Sequence, residues 1–150
     1  MDVYIDKFLI LRSGQRYSLG TVDLPNHREC DLLNPELWYQ KECQFLYYWA
    51  KHNLTPFNER KSDEWILTKE KVFQLIDDCN ACLAFENNQK STKELKKLAK
   101  ERLFIEDDSY YYPKLGYYFF NDLRKVVKSI VTILGDIDST DVEYHLIVSC

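Results

Sequence analysis

The chain of 150 residues is poor in glycine and proline, with four of each, and has one methionine. No stretch of it carries a complete catalytic signature. The glycines Gly14, Gly20, Gly116 and Gly135 are too scattered for a phosphate-cradling loop, which excludes the Gly-rich nucleotide-binding motifs. No apolar run reaches the roughly 20 residues of a membrane-spanning helix. An excess of positive charge is also lacking: the net charge is −4, which argues against general affinity for nucleic acid, where many Lys and Arg must displace phosphate counterions. The five cysteines, Cys30, Cys43, Cys79, Cys82 and Cys150, are odd in number and follow no secreted disulfide framework. Asp2 and Asp6 spoil the basic start of a secretory signal. Together these absences lead us to expect a cytoplasmic protein with free thiols, no cofactor and no bound metal.

What the chain does have is aromatic residues: eleven Tyr, eight Phe and three Trp make up 15% of it. A buried Tyr needs a partner for its hydroxyl, so a Tyr-rich stock places part of itself at half-wet surfaces. The length suits a single domain over residues 1–150, large enough to fold on its apolar core alone.

Hydrophobic patterning divides the chain into elements. "VYIDKFLIL" (3–11) reads as a strand, with 16–22 returning as its hairpin partner. Residues 23–35 read as a loop, and Asn34 followed by Pro35 starts a helix that runs to about Asn53. Pro56 marks its end, and 64–67 is a short strand or an entry segment. Thr68 caps the next helix, whose Val72, Leu75, Ile76, Cys79 and Leu83 form one apolar face. Ser91 and Glu94 form a capping box ahead of a helix over 92–102. The longest helix covers 114–134 and stops at Gly135, and "VEYHLIVS" (142–149) closes the chain as a strand. The expected fold is α+β: a small, mostly antiparallel sheet formed by the N- and C-terminal strands, covered by about four helices.

Several surfaces compete for function. In "QFLYYWAKHN" (44–53), Trp49 and Phe45 continue a core stripe that begins at Trp38, whereas Tyr48, Lys51 and His52 share a second helical face. That face packs under the 54–64 loop or meets a ligand. Tyr110, Tyr111 and Tyr112 stand beside Glu106, Asp107 and Asp108 ahead of Pro113; three consecutive tyrosines in a loop cannot all be buried, and exposed Tyr clusters favour protein interfaces. The helix over 92–102 carries Lys93, Lys96, Lys97 and Lys100 on one face, either a solvated ridge or a site for phosphates. "CNAC" (79–82) has the spacing of a zinc or redox pair, but it lies in mid-helix, where no dipole lowers its thiol pKa, and a core role is favoured. Asp136, Asp138, Asp141 and Glu143 crowd a second acidic stretch without the spacing of a calcium loop. The three histidines, His27, His52 and His145, are scattered.

In order along the chain, "MDVYIDKFLIL", "YYWAKHN", "LTKEKVFQLIDDCNACL", "GYYFFNDLRKVVKSIVTIL" and "VEYHLIVS" resemble the motifs of a family of small bacteriophage and prophage proteins. Those open with a Met-Gly-Leu-Asp-Met-Tyr-Leu strand and carry a Tyr-Trp-Arg-Lys-x-Asn helix end. The chain departs from the pattern in lacking the N-terminal Gly, in Ala50 where the family has Arg, and in Pro56 where His is usual. The family brings no reaction with it. The resemblance implies an accessory protein acting in the cytoplasm of an infected bacterium, and such genes often encode inhibitors of host processes, antiviral defences among them.

We therefore expect a binding protein rather than an enzyme, with a host protein as partner and with Tyr110–Tyr112, Glu106, Asp107, Asp108, Tyr48, Lys51 and His52 as its surface. The alternative is a nucleotide- or nucleic-acid-binding module that sets its lysines on phosphates and its tyrosines on bases. A small metal-dependent hydrolase built on the acids ranks last.

Overall fold

A computed structural model describes residues 2–22, 44–58, 61–87, 92–105 and 117–149. The strands are β1 (Asp2–Ile10), β2 (Arg16–Val22), β3 (Thr55–Asn58), β4 (Lys61–Leu67) and β5 (Val142–Ser149). They form one five-stranded sheet in the order β2-β1-β5-β4-β3, with every neighbouring pair antiparallel. The helices are α1 (Gln44–Asn53), α2 (Lys69–Leu83), α3 (Thr92–Leu103) and α4 (Tyr117–Val131), the last running into a 3-10 turn at Thr132–Gly135. The class is α+β, and the two terminal strands pair side by side at the centre of the sheet, from Asp2 opposite Ser149 to Leu9 opposite Val142.

Strand alternation assigns the two faces. Ile5, Trp65, Leu67, Tyr144, Leu146 and Val148 are buried on one side, where they join a single apolar core with Phe45, Leu46 and Trp49 of α1, Val72 and Leu75 of α2, Leu95 and Ala99 of α3, and Phe119, Leu123, Val126 and Ile130 of α4. Each of the larger apolar side chains, once fully buried, contributes on the order of 1.5–3 kcal/mol. α4 lies along α2 and shares with the sheet residues the one apolar core. At the start of α2 the Thr68 hydroxyl accepts from the Lys71 N–H at 3.3 Å, as its capping role requires. The β1–β2 turn uses Gly14 at φ +85°, and Gly20, at φ +117°, stands where β2 bulges past Lys7 and Phe8 of β1.

Two expectations are revised. Residues 55–58 and 61–67 are not loop with a short strand at its end; they pair antiparallel as β3 and β4. Pro56 is compatible with this pairing because β3 is an edge strand, where a missing N–H costs no inner ladder bond. Gly135 does not end α4 in the left-handed conformation; the helix tightens into its 3-10 turn instead. The expected helical start at 35–43 and the capping residue Ser91 lie outside the described residues.

Candidate functional site

The end of α1 brings Tyr48, Lys51 and His52 together on one face. Lys51 and His52 are exposed and Tyr48 is half-buried. The His52 ring is held on two sides. Its Nδ1 lies 2.8 Å from the Tyr48 carbonyl oxygen, a contact in which Nδ1 donates. Its plane is stacked on Phe104, with centroids 4.0 Å apart and planes 6° from parallel. The hydrogen bond leaves Nε2 as the lone-pair nitrogen of the neutral ring. Asn53 finishes the helix: its Nδ2 donates to the Trp49 carbonyl at 3.0 Å and its Oδ1 accepts from Gln74 at 2.7 Å.

Phe104 itself is unusual. It sits at φ +56°, a region that bulky side chains avoid at a cost of order 1–3 kcal/mol. The residues on either side, Leu103 and Ile105, are both fully buried, and their burial holds the strained residue against His52. Glu106, Asp107, Asp108, Tyr110, Tyr111 and Tyr112 lie outside the described residues. In the chain, Glu106 follows Phe104 by two positions.

The lysine ridge is partly committed. On α3, Lys93, Lys97 and Lys100 are exposed and Lys96 is half-buried, opposite the buried Leu95, Ala99 and Leu103. Lys96 and Lys100 already engage neighbouring groups. The acidic stretch near the C-terminus is likewise used internally. Asp136 pairs with Lys7 and accepts from the Tyr144 hydroxyl at 2.6 Å, Asp138 pairs with Lys69 at 2.5 Å, and Glu143 pairs with Arg16 at 2.8 Å. Lys7 first and Tyr144 second hold the Asp136 carboxyl below its ordinary value, while burial and the Asp136 carboxylate push the Tyr144 phenol up. Among the described residues no group of three or more His, Cys, Asp and Glu is placed to hold a metal ion.

Cys79 and Cys82 are free and buried. Burial, reinforced by Asp78, pushes the Cys79 thiol well up and raises that of Cys82 to about 12. Neither is a thiolate nucleophile at neutral pH. Asp78, buried beside them on α2, accepts from Trp49 Nε1 of α1 at 2.9 Å and from Arg102 of α3 at 3.0 Å. This three-helix tie was not anticipated from the sequence.

His145 was missed as well. It is fully buried on the sheet face opposite the helices. Its Nδ1 lies 2.6 Å from Glu64 and its Nε2 2.5 Å from Glu143. Phe8 and Phe57 flank the ring at 4.6 and 4.5 Å. Arg16 grips Glu143 through two nitrogens, at 2.8 and 3.4 Å, while its guanidinium lies over the Phe57 ring at 4.8 Å. The signal available was Glu143-x-His145, two polar groups on one face of an otherwise apolar strand.

No known protein family, curated protein or solved structure matches the chain. No helix among the described residues is long and apolar enough to cross a membrane.

Proposed function

We propose that this protein works by binding another protein, as an accessory factor of phage origin directed at a protein of its bacterial host in the host cytoplasm. A defence factor is the class of target that the motif resemblance suggests. The observation that carries the binding reading is the His52–Phe104 stack. It fixes an exposed imidazole at the end of α1 against Phe104, which precedes Glu106 by two positions in the chain. A strained Phe104 held by buried neighbours is a rigid seat for such a surface. Rigid aromatic anchors supply most interface affinity, and flanking charges mainly tune the on-rate.

The test runs three variants beside wild type in a phage-growth or host-toxicity assay. Tyr110→Ala, Tyr111→Ala and Tyr112→Ala together, or Tyr48→Ala with His52→Ala, are expected to fold normally and lose activity. With a captured target in hand, the Tyr variant loses at least about 2 kcal/mol of binding. Changing Lys93, Lys96, Lys97 and Lys100 to Gln is expected to leave activity intact. A dead Lys variant beside a fully active Tyr variant overturns the reading in favour of a phosphate-bearing ligand.

A further inference from the structure

The sheet face opposite the described helices gathers one cluster to which every described strand contributes: Phe8 from β1, Arg16 from β2, Phe57 from β3, Glu64 from β4, and Glu143 and His145 from β5. At its centre both nitrogens of a buried imidazole face carboxylate oxygens at 2.6 and 2.5 Å. A carboxylate offers lone pairs only, and a neutral imidazole offers one N–H and one lone pair. With a neutral ring and two carboxylates, one of these short contacts would set lone pair against lone pair. The geometry requires one more proton.

Charge balance within the cluster favours the ring as the seat of that proton. Burial draws the Glu143 carboxyl upward, but the hydrogen bonds from Arg16 and His145 outweigh it and hold the group below its ordinary value. Glu143 is therefore a carboxylate. With the proton on the ring, two cations, Arg16 and His145, balance two anions, Glu64 and Glu143. Also on this face are Asp6, directly across β1 from His145, which accepts from the Thr21 hydroxyl at 2.8 Å, and Tyr4, across from Ile147. From β3 the ring meets the uncharged Phe57, and beside it on β4 stands Ile66.

We propose that His145 is a proton-operated clamp: held as imidazolium between Glu64 and Glu143, it fastens the β3–β4 hairpin to the rest of the sheet, and loss of the proton at raised pH releases that hairpin. The hairpin is the element with least else to hold it on this face. β4 meets β5 only from Glu64 to Leu67, and β3 is an edge strand. Deprotonation leaves the cluster with a net negative charge and sets a lone pair against one carboxylate, and Glu64 is the one not tied down by Arg16. The Phe57 ring then loses the imidazole it packs on, and the hairpin opens from its Glu64 end.

Nitrogen NMR on the full chain with labelled histidine tests this. The chain has three histidines, and the His145 signals are those lost in His145→Gln; should that variant not fold, they are identified instead by coupling to the Phe8 and Phe57 rings. Near neutral pH both His145 nitrogens are expected to carry hydrogen. As pH is raised, loss of one of them should coincide with at least about tenfold faster amide exchange over residues 55–67, while β1 and β5 stay protected. Glu64→Gln, which removes one anion and keeps an acceptor, should move both events together to lower pH by about one unit. A bare lone pair on either nitrogen near neutral pH overturns the proposal, as does ring deprotonation that leaves hairpin exchange unchanged.

Discussion

Among the described residues, the Asp78 and His145 ties lie on opposite sides of the sheet, and they are built differently. On the helix side a single carboxylate, Asp78, collects a neutral donor from α1 and a cation from α3. On the other side His145 collects two carboxylates, one of them backed by Arg16. The first joins three helices; the second joins three strands, β2, β4 and β5, with aromatic rings from β1 and β3 packed beside it. Asp78 keeps a route to water through Arg102, whose side chain is 50% exposed, whereas the His145 side chain is 1% exposed and depends on its protein partners alone. Taking a charge out of water costs several kcal/mol unless every lone pair and N–H finds a partner. Both ties meet that condition only when elements distant in sequence arrive in one arrangement, so each reports on the assembly of its own layer.

An anion placed in the core without such partners breaks the comparison most severely. Ile130 is fully buried on α4, and Ile130→Asp is expected to cost on the order of 3–5 kcal/mol and to unfold much of the population, read by calorimetry or denaturant titration. Asp78→Ala comes next. It leaves the buried Trp49 N–H without its acceptor, for an expected loss of about 1–3 kcal/mol. The indole fluorescence of Trp49 should change along with the midpoint. A neutral outcome for Asp78→Ala would mean that the helix-side tie contributes nothing beyond packing.

The sequence made the layers legible more readily than the ties. Periodicity in 3–11 and 142–149 identifies the central strands, and Val72, Leu75 and Cys79 mark the buried face of α2, because a long amphipathic element repeats its signal every turn or every second residue. The β3–β4 hairpin was hidden: Pro56 reads as a helix stop, and only its edge position makes it compatible with a strand. The ties were hidden for a different reason. Glu64 and His145 stand 81 positions apart, and a polar residue on an apolar strand looks the same whether it faces water or a buried partner. The acids at 136–143 invited a metal, yet Lys7, Lys69 and Arg16, all far away in the chain, neutralise three of them. The Tyr48–His52 half of the nominated surface is placed by the fold, and its Tyr110–Tyr112 half lies outside the described residues.

Acid titration sharpens the difference between the sides. Asp136 and Glu143 both have carboxyls held below their ordinary values in the folded chain. Such groups contribute stability that is fully present above the unfolded carboxylate range, about pH 4, and is lost as pH falls through the lower folded value. Denaturant midpoints should therefore fall between pH 5 and pH 3, values chosen to bracket about pH 4. Arg16→Gln removes the main hydrogen bond that lowers Glu143, so the variant should start less stable and lose less over the same interval. An unchanged slope in Arg16→Gln would separate Glu143 from the acid response.

The smallest effect is on thiol chemistry, and it tells the two ties apart. Cys79 and Cys82 lie beside Asp78, buried, with thiols pushed up by burial first and by that carboxylate in addition. They can be alkylated only when the helix layer opens, so their labelling rate, followed residue by residue with mass spectrometry, reports on the Asp78 tie. In the native protein near neutral pH both are expected to label at the rate of global unfolding. Asp78→Ala should speed labelling, through looser packing and through loss of the neighbouring negative charge. Glu64→Gln, which acts on the opposite face, should leave it unchanged within about twofold, because sites that share no partners add independently. If Glu64→Gln accelerates Cys79 and Cys82 as much as Asp78→Ala does, the helix and sheet layers open as one unit and the two ties are a single cooperative lock.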